Sequence, residues 1–185
     1  MAYIKSLGKH EENVPSVMAR YPEQNVGLYK LTEQVMRAGE CSFTDQQREL
    51  IGAFTSGTNH CTFCYNSHAR TAMEFGLEEA FIEALIRDIE TSPVEESLKP
   101  VLRYVKKLTQ SPSIVVQSDV DAILEAGWTE NDFHFVVMIC ALFNFYNRLM
   151  DGYGCVGTPE HWAMSGKMLA SQGYDLSKWT RGFGD

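Results

Sequence analysis

Apolar residues recur three and four positions apart along nearly the whole chain, which is the spacing of one face of an amphipathic α-helix. Residues 28–36, 50–54, 81–86 and 98–108 all follow this pattern. The stretch most typical of a strand, residues 113–117, is β-branched but short. The sequence therefore predicts an all-α fold.

Capping residues mark where several helices begin. Thr44 is followed three residues later by Gln47, which predicts a capping box, and Thr129 precedes the longest apolar segment in a similar way. Ser92 followed by Pro93 predicts another helix start, because the missing N–H of proline costs nothing at the first helical position. These boundaries leave no low-complexity linker between the predicted helices.

The length and composition fit one globular domain. The chain has 185 residues, of which 44% are apolar and 22% are charged, and these fractions are ordinary for a folded domain. We expect a single domain over residues 1–185, with a core at about 44–157 and helical extensions at both ends.

The charge balance narrows the classes of partner. Acidic residues outnumber basic ones by 24 to 16, which gives a net charge of −8. A general nucleic-acid partner is therefore not expected, because phosphate binding needs a basic face.

The longest apolar run, residues 135–143, is about half of the ~20 residues that a membrane span needs, and residues 1–10 lack a signal-peptide core. We expect no membrane association and a cytoplasmic location.

Two cysteines and a histidine share one predicted helix face. Cys61, Cys64 and His68 are three and four positions apart, so they lie within roughly 60° of one another at about 100° per residue. Asn59 is placed to cap this helix, and Glu49 lies on the helix before it. In a reducing compartment a close cysteine pair is more typical of catalysis or metal binding than of a structural disulfide.

The spacing leaves open which cysteine is the nucleophile. The helix dipole favours a thiolate at Cys61 in the first turn, whereas Cys64 lies four residues before His68, the spacing at which helix side chains touch. A carboxylate from Glu49 would fix the histidine tautomer and raise its basicity. These groups predict thiol chemistry, in which a thiolate attacks a peroxide and the second thiol converts the sulfenic acid to a disulfide.

The same residues carry a resemblance to a known family. Glu49, eleven intervening residues and the C-x-x-C-x-x-x-H motif at 61–68 resemble the active-site signature of the AhpD-like alkylhydroperoxidases, within the carboxymuconolactone decarboxylase superfamily. Asn59 and residues 143–152 are similar to its "peroxidase-related" branch. The resemblance covers about residues 44–157.

The resemblance implies an AhpD-like helical bundle, a homo-oligomer such as a trimer or hexamer, and peroxidase activity on hydroperoxides. It implies that Cys64 is the peroxidatic cysteine and Cys61 the resolving one, with Glu49 and His68 as the proton relay. It also implies that an external dithiol or thiol protein reduces the pair again. This chemistry requires neither a metal nor another cofactor.

The chain departs from the AhpD pattern at one position. AhpD itself has a histidine directly before the second cysteine, where this chain has Phe63. His60 precedes Cys61 instead, about 100° around the helix from it, and does not simply replace the missing side chain. The departure bears on the efficiency of peroxide turnover and on the identity of the electron donor.

Two other functions use the same residues. Cys61, Cys64, His68 and Glu49 are competent zinc ligands, although three of them come from about two turns of one helix. A helical oligomer could also use the cysteines as a redox sensor, without significant turnover. In that case oxidation would change assembly or partner binding.

Two further patterns receive structural interpretations. The G-x-G-x-x-G pattern at 152–157 follows a predicted helix rather than a strand, so it does not indicate a dinucleotide site. The polar group that follows the longest apolar run is expected to bond within the bundle or across a subunit interface. It consists of Asn144, Asn147, Arg148 and Asp151.

Overall fold

A computed structural model of the chain describes Tyr3 and residues 21–175, and within these residues it contains eight α-helices and no strand. The helices are α1 Pro22–Glu33, α2 Asp45–Thr58, α3 Thr62–Glu74, α4 Glu79–Arg87, α5 Lys99–Gln110, α6 Gln117–Glu125, α7 Glu130–Tyr153 and α8 Pro159–Gln172. Single 3₁₀ turns, Glu96–Leu98 and Pro112–Ile114, precede α5 and α6. The all-α prediction is confirmed. The outer parts of the two expected extensions lie outside the described residues.

Of the helix starts predicted at Thr44, Ser92 and Thr129, those at Thr44 and Thr129 are correct and the one at Ser92 is wrong. Capping boxes are present at Thr44 and Thr129. The helix expected at residue 93 instead begins at Lys99, with Pro100 in its first turn. The Ser92 hydroxyl is buried and donates to the Ile89 carbonyl oxygen at 2.8 Å, so it does not cap a following helix.

Helix α1 continues directly into a π-helical turn, Gln34–Ala38. The turn is closed by the Gly39 N–H, which donates to the Gln34 carbonyl oxygen five residues earlier at 2.8 Å. The buried Arg48 side chain of α2 donates to the Val35 and Arg37 carbonyls of this turn and to the Gly39 and Phe43 carbonyls that follow it. One cation therefore fixes the whole connection between α1 and α2.

Helix α7 runs through the centre of the bundle. It packs on α2, α3 and α5, and Ile139 and Phe143 on its inner face are fully buried. Among the described helices it alone is long and apolar enough to cross a bilayer by length and composition. Its Asp132 and Asn147 side chains are also buried and bond to other parts of the bundle. These contacts are typical of a core helix of the bundle.

Helix α3, which carries the C-x-x-C motif, lies between α2 and α8. Gly166 of α8 meets the backbone of Arg70 on α3, and a Cβ at Gly166 would lie 3.0 Å from the Arg70 carbonyl carbon. Because backbone atoms cannot move aside cheaply, a glycine at this point permits the close approach of the two helices.

The contact between α3 and α8 can be tested with one substitution at two glycines. We expect Gly166→Val to lower the free energy of unfolding by about 1–3 kcal/mol, because the larger side chain forces α8 away from α3. Gly152→Val is the control, since a Cβ at that exposed helical position has no atom of the described residues within 4 Å. We expect this substitution to change stability by less than about 0.5 kcal/mol. Urea unfolding measures both, and equal effects would contradict the packing argument.

Candidate active site

The side chain at the centre of the site is the carboxylate of Glu49 on α2, which is fully buried. Its Oε2 atom lies 2.7 Å from Nδ1 of His68 on α3. Its Oε1 atom accepts two further hydrogen bonds, from Nη2 of Arg37 at 2.5 Å and from the hydroxyl of Tyr174 at 2.8 Å. Three separate parts of the chain therefore converge on one carboxylate.

The surroundings keep this carboxylate ionised. Burial opposes the charge on Glu49, but the hydrogen bonds and charges of His68 and Arg37 outweigh it and hold the pKa of Glu49 below its ordinary value. Burial likewise opposes the charge of Arg37, and the nearby Glu49 carboxylate nevertheless raises the pKa of that guanidinium. Burial, followed by the charge of Glu49, raises the pKa of Tyr174 well above 10. Tyr174 is therefore a hydroxyl donor and Glu49 an acceptor.

The hydrogen bond to Glu49 determines the proton arrangement on the His68 ring. An ionised carboxylate accepts only, so Nδ1 carries the hydrogen and the lone pair of the neutral ring is on Nε2. The edge of the Phe143 ring meets the imidazole at a centroid distance of 4.3 Å and an interplanar angle of 84°. Phe143 is itself seated against Gly52, where a Cβ would lie 2.6 Å from the ring. His68 is thus an oriented proton acceptor.

The two cysteines lie at the start of α3 as free, buried thiols. Cys61 is the N-cap residue, and its backbone N–H donates to the Ser56 carbonyl oxygen at 3.0 Å. Cys64 follows within the first turn and is 2% exposed. The expectation that Asn59 caps this helix is wrong, because Asn59 is the C-cap residue of α2.

Asn147 of α7 contacts both thiols. Its carbonyl oxygen accepts from the Cys61 thiol at 3.9 Å, and its side chain forms a hydrogen bond with Cys64. The same side chain accepts from Asn59 Nδ2 at 2.8 Å and donates to the Ser56 hydroxyl at 2.9 Å. Asn147 therefore has the structural role expected from the sequence, and that role includes the environment of the cysteine pair.

Cys64 is a thiol in this arrangement. The hydrogen bond with Cys61 and then burial raise the pKa of Cys64 well above its ordinary value, and the bond from Asn147 only partly offsets them. In the described part of the chain the His68 ring bonds to Glu49 and Tyr174 but not to Cys64. Proton transfer between Cys64 and His68 therefore needs a bridging group or a movement of a side chain.

The position that departs from the AhpD pattern is part of the apolar core. Phe63 is 4% exposed, and its ring lies 5.7 Å from the ring of His161 on α8. Burial lowers the pKa of His161, which favours the neutral ring. The structure therefore places an apolar contact where AhpD has a second histidine.

An open groove of about 480 Å³ reaches Cys61 from the side of α4. Cys61 lines it and Cys64 does not. His60, whose φ of 58° is left-handed, also lines the groove and is absent from the hydrogen bonds of Glu49. The other lining residues are Gly57, Thr62, Tyr65, Glu83, Ile86 and Arg87.

The four predicted site residues do not form a set of metal ligands. Among the residues that the structure describes, no three His, Cys, Asp or Glu side chains converge in a way that could hold a metal ion. Nδ1 of His68 is bonded to Glu49, and the second oxygen of Glu49 is bonded to Arg37. This geometry argues against the zinc interpretation.

Sequence reasoning identified Glu49, His68 and the cysteines but missed Arg37 and Tyr174. Arg37 lies 12 positions from Glu49 and Tyr174 lies 125 positions from it. Neither residue belongs to a motif with the others. The only available indication was that a buried Glu49 would need a cationic partner.

Comparisons with known proteins support the same superfamily. Residues 27–93, which include Glu49, both cysteines and His68, match the model of the carboxymuconolactone decarboxylase family. No curated protein matches the chain.

Solved structures share the fold. An uncharacterized peroxidase-related protein from Silicibacter sp. TM1040 is 19% identical with a TM-score of 0.75, and the alignment covers 81% of this chain and 78% of that one. An alkylhydroperoxidase AhpD core protein from Ralstonia eutropha JMP134, also peroxidase-related and uncharacterized, is 20% identical with a TM-score of 0.73 and the same coverage. A protein of unknown function from Agrobacterium tumefaciens is 20% identical with a TM-score of 0.67, covering 76% of this chain and 94% of that one. Residues 27–93 are thus similar to the carboxymuconolactone decarboxylase family, and the chain shares its fold with these peroxidase-related and AhpD core structures.

Proposed function

We propose that the chain is a thiol-dependent peroxidase that reduces hydroperoxides through Cys64 and Cys61. The observation that carries the proposal is the buried Glu49 carboxylate, which turns His68 into an oriented proton acceptor on the helix that bears both thiols. The peroxidase-related proteins that share the fold support the same class of chemistry.

The reaction begins with removal of the Cys64 proton. Because His68 and Cys64 are not directly bonded, a water molecule or the hydroxyl end of the bound hydroperoxide carries the proton to Nε2 of His68. The Cys64 thiolate then attacks the terminal peroxide oxygen, the O–O bond breaks, and the alkoxide leaves as an alcohol with the proton held by His68. Cys64 is oxidised to a sulfenic acid in this step.

The second half of the cycle uses Cys61. Its sulfur attacks the sulfenic acid of Cys64, so that the Cys61–Cys64 disulfide forms and water leaves. An external dithiol or thiol protein then reduces the disulfide by thiol–disulfide exchange and is itself oxidised to a disulfide. Overall, one hydroperoxide and one dithiol give an alcohol, water and a disulfide, without a metal or another cofactor.

Asn147 is assigned the role of holding the pair in reacting geometry. Its amide donates to the developing Cys64 thiolate, while its carbonyl oxygen keeps the Cys61 thiol nearby. A hydrogen bond to the charged form favours that form. Part of the contribution that AhpD draws from its second histidine would come from this asparagine.

The proposal also covers the route of the substrates to the site, the assembly of the protein and its location. The groove beside Cys61 is the route by which hydroperoxide and reductant approach the pair. The resemblance to AhpD-like proteins supports a homo-oligomer, such as a trimer or hexamer. The net charge of −8 supports the absence of a general nucleic-acid partner, and the cytoplasmic location without membrane partners is kept as the expectation from the sequence.

A redox-sensing protein without significant turnover is the second candidate. Both thiols are almost fully buried, Phe63 replaces the inter-cysteine histidine, and the pKa of Cys64 lies well above its ordinary value. These features favour slow oxidation. A sensor would form the disulfide once and change its assembly or binding, rather than consume peroxide catalytically.

Cysteine variants distinguish the two candidates. We expect Cys64→Ser to reduce dithiol-dependent peroxide consumption at least 100-fold, since the nucleophile is lost, and Cys61→Ser to allow oxidation of Cys64 without multiple turnovers. Cys41→Ser, outside the site, should retain the wild-type rate. The assay follows peroxide loss with several dithiol donors. Full turnover by Cys64→Ser would refute the peroxidase proposal, and a single oxidation event in the wild-type protein would favour the sensor.

The charge on Glu49 predicts a pH dependence of stability. Because its pKa is lower in the folded state than the ordinary value of 4.5, its stabilising contribution is present above pH 4.5 and is lost as the pH falls through the folded pKa. We expect Glu49→Gln to make the acid loss of stability shallower, by up to about 1.4 kcal/mol per pH unit. At pH 7 it should also lower the free energy of unfolding by about 3–5 kcal/mol, because Arg37 loses its partner.

Urea unfolding between pH 3.5 and 7 measures this effect. Glu40→Gln is the matched control, since Glu40 is exposed and the same change there should leave the acid dependence as in the wild-type protein. If Glu49→Gln and Glu40→Gln behaved alike, the buried carboxylate would not be the ionised group described.

A further inference from the structure

The segment that follows α8 turns back into the site. Gly173 has a left-handed φ of 69°, and a Cβ there would lie 2.8 Å from Oε2 of Glu33. The backbone N–H of the next residue, Tyr174, donates to the same carboxylate oxygen at 2.7 Å. The turn and this hydrogen bond direct the Tyr174 side chain towards the interior.

Tyr174 contacts all three charged or titratable members of the Glu49 cluster. Its hydroxyl donates to Glu49 Oε1 at 2.8 Å and lies 3.2 Å from Nδ1 of His68. Its ring is inclined by only 15° to the imidazole at a centroid distance of 6.3 Å. The guanidinium carbon of Arg37 lies 5.1 Å from the centre of the same ring. The side chain is 7% exposed, so it also covers the cluster from solvent.

We propose that Tyr174 is a positioning residue for the peroxidase reaction, acting through the Glu49–His68 pair. This inference rests on the proposed function. The hydroxyl fixes one oxygen of Glu49, so that the other oxygen stays on Nδ1 and the Nε2 lone pair keeps one direction. The ring also packs on the Arg37 guanidinium, which is bonded to the same carboxylate.

The hydroxyl also sets the proton affinity of the pair. A carboxylate that accepts hydrogen bonds from three donors takes up a proton less readily than one with two donors, because hydrogen bonds to the charged form favour that form. Removing the Tyr174 hydroxyl therefore makes proton uptake by the pair easier. The sign of the change is fixed: the pH at which the pair takes up a proton rises. His68 must be neutral to accept the Cys64 proton, so activity is then lost at a higher pH on the acid side.

The experiment compares Tyr174→Phe with Tyr29→Phe in the full chain. Both remove one buried hydroxyl and keep the ring, but the Tyr29 hydroxyl has no hydrogen-bond partner among the residues that the structure describes. We expect Tyr174→Phe to lower kcat/KM for hydroperoxide about tenfold and to move the acid limb of the pH–rate profile up by about 1 pH unit. Tyr29→Phe should match the wild-type protein in both. A lower rate with an unmoved acid limb would reduce Tyr174 to a packing role and overturn the proposal.

A second readout needs no catalysis. The pH at which the Glu49–His68 pair takes up a proton can be followed by the ring ¹⁵N chemical shifts of His68 in the reduced protein without peroxide. It should rise in Tyr174→Phe and not in Tyr29→Phe. If the wild-type protein consumes no peroxide, the proposed function fails. The titration alone then tests whether Tyr174 acts on the Glu49–His68 pair. An unchanged titration overturns the proposal whether or not the protein is a peroxidase.

Discussion

An ionised carboxylate inside a helical bundle is the constraint around which this structure is organised. Removing a charge from water costs several kcal/mol unless partners replace the lost solvation. Glu49 finds them in Arg37 after α1, His68 on α3 and Tyr174 after α8. Satisfying one side chain thus brings four distant segments of the chain together, and the same contacts leave the histidine with a free acceptor nitrogen.

The chemistry is divided between two adjoining environments. Around Glu49 the hydrogen bonds are short and involve charged groups, so this part can store and release protons. Around Cys61 and Cys64 the partners are neutral, namely Asn147 and its contacts with Asn59 and Ser56. The hydrogen bond with Cys61 and then burial raise the pKa of Cys64 well above its ordinary value, and a protonated, buried thiol is protected from indiscriminate oxidation. In the proposed reaction this separation is the reason that the Cys64 proton reaches His68 through a bridging group, even though both residues lie on one helix.

Local patterns in the sequence were enough to predict the all-α fold and the capping box at Thr44, because each depends on residues within a few positions of one another. The pairing of Glu49 with His68 also followed, since one short connection joins their helices. Arg37 and Tyr174 could not be predicted in the same way, because their contacts depend on how α1 and α8 pack. The start expected at Pro93 failed because the hydroxyl of Ser92 bonds backwards to Ile89.

The π-helical turn Gln34–Ala38 has a consequence for the length of the chain. It accommodates one more residue than a regular α-helical turn, and Arg37 lies within it. Deleting a single residue there would restore ordinary helical winding and rotate the following side chains by roughly 100°. The guanidinium would then no longer face Glu49, although every residue of the charge cluster would still be present. The ion pair of the buried Glu49 carboxylate with Arg37 therefore depends on the number of residues in one turn as well as on their identity.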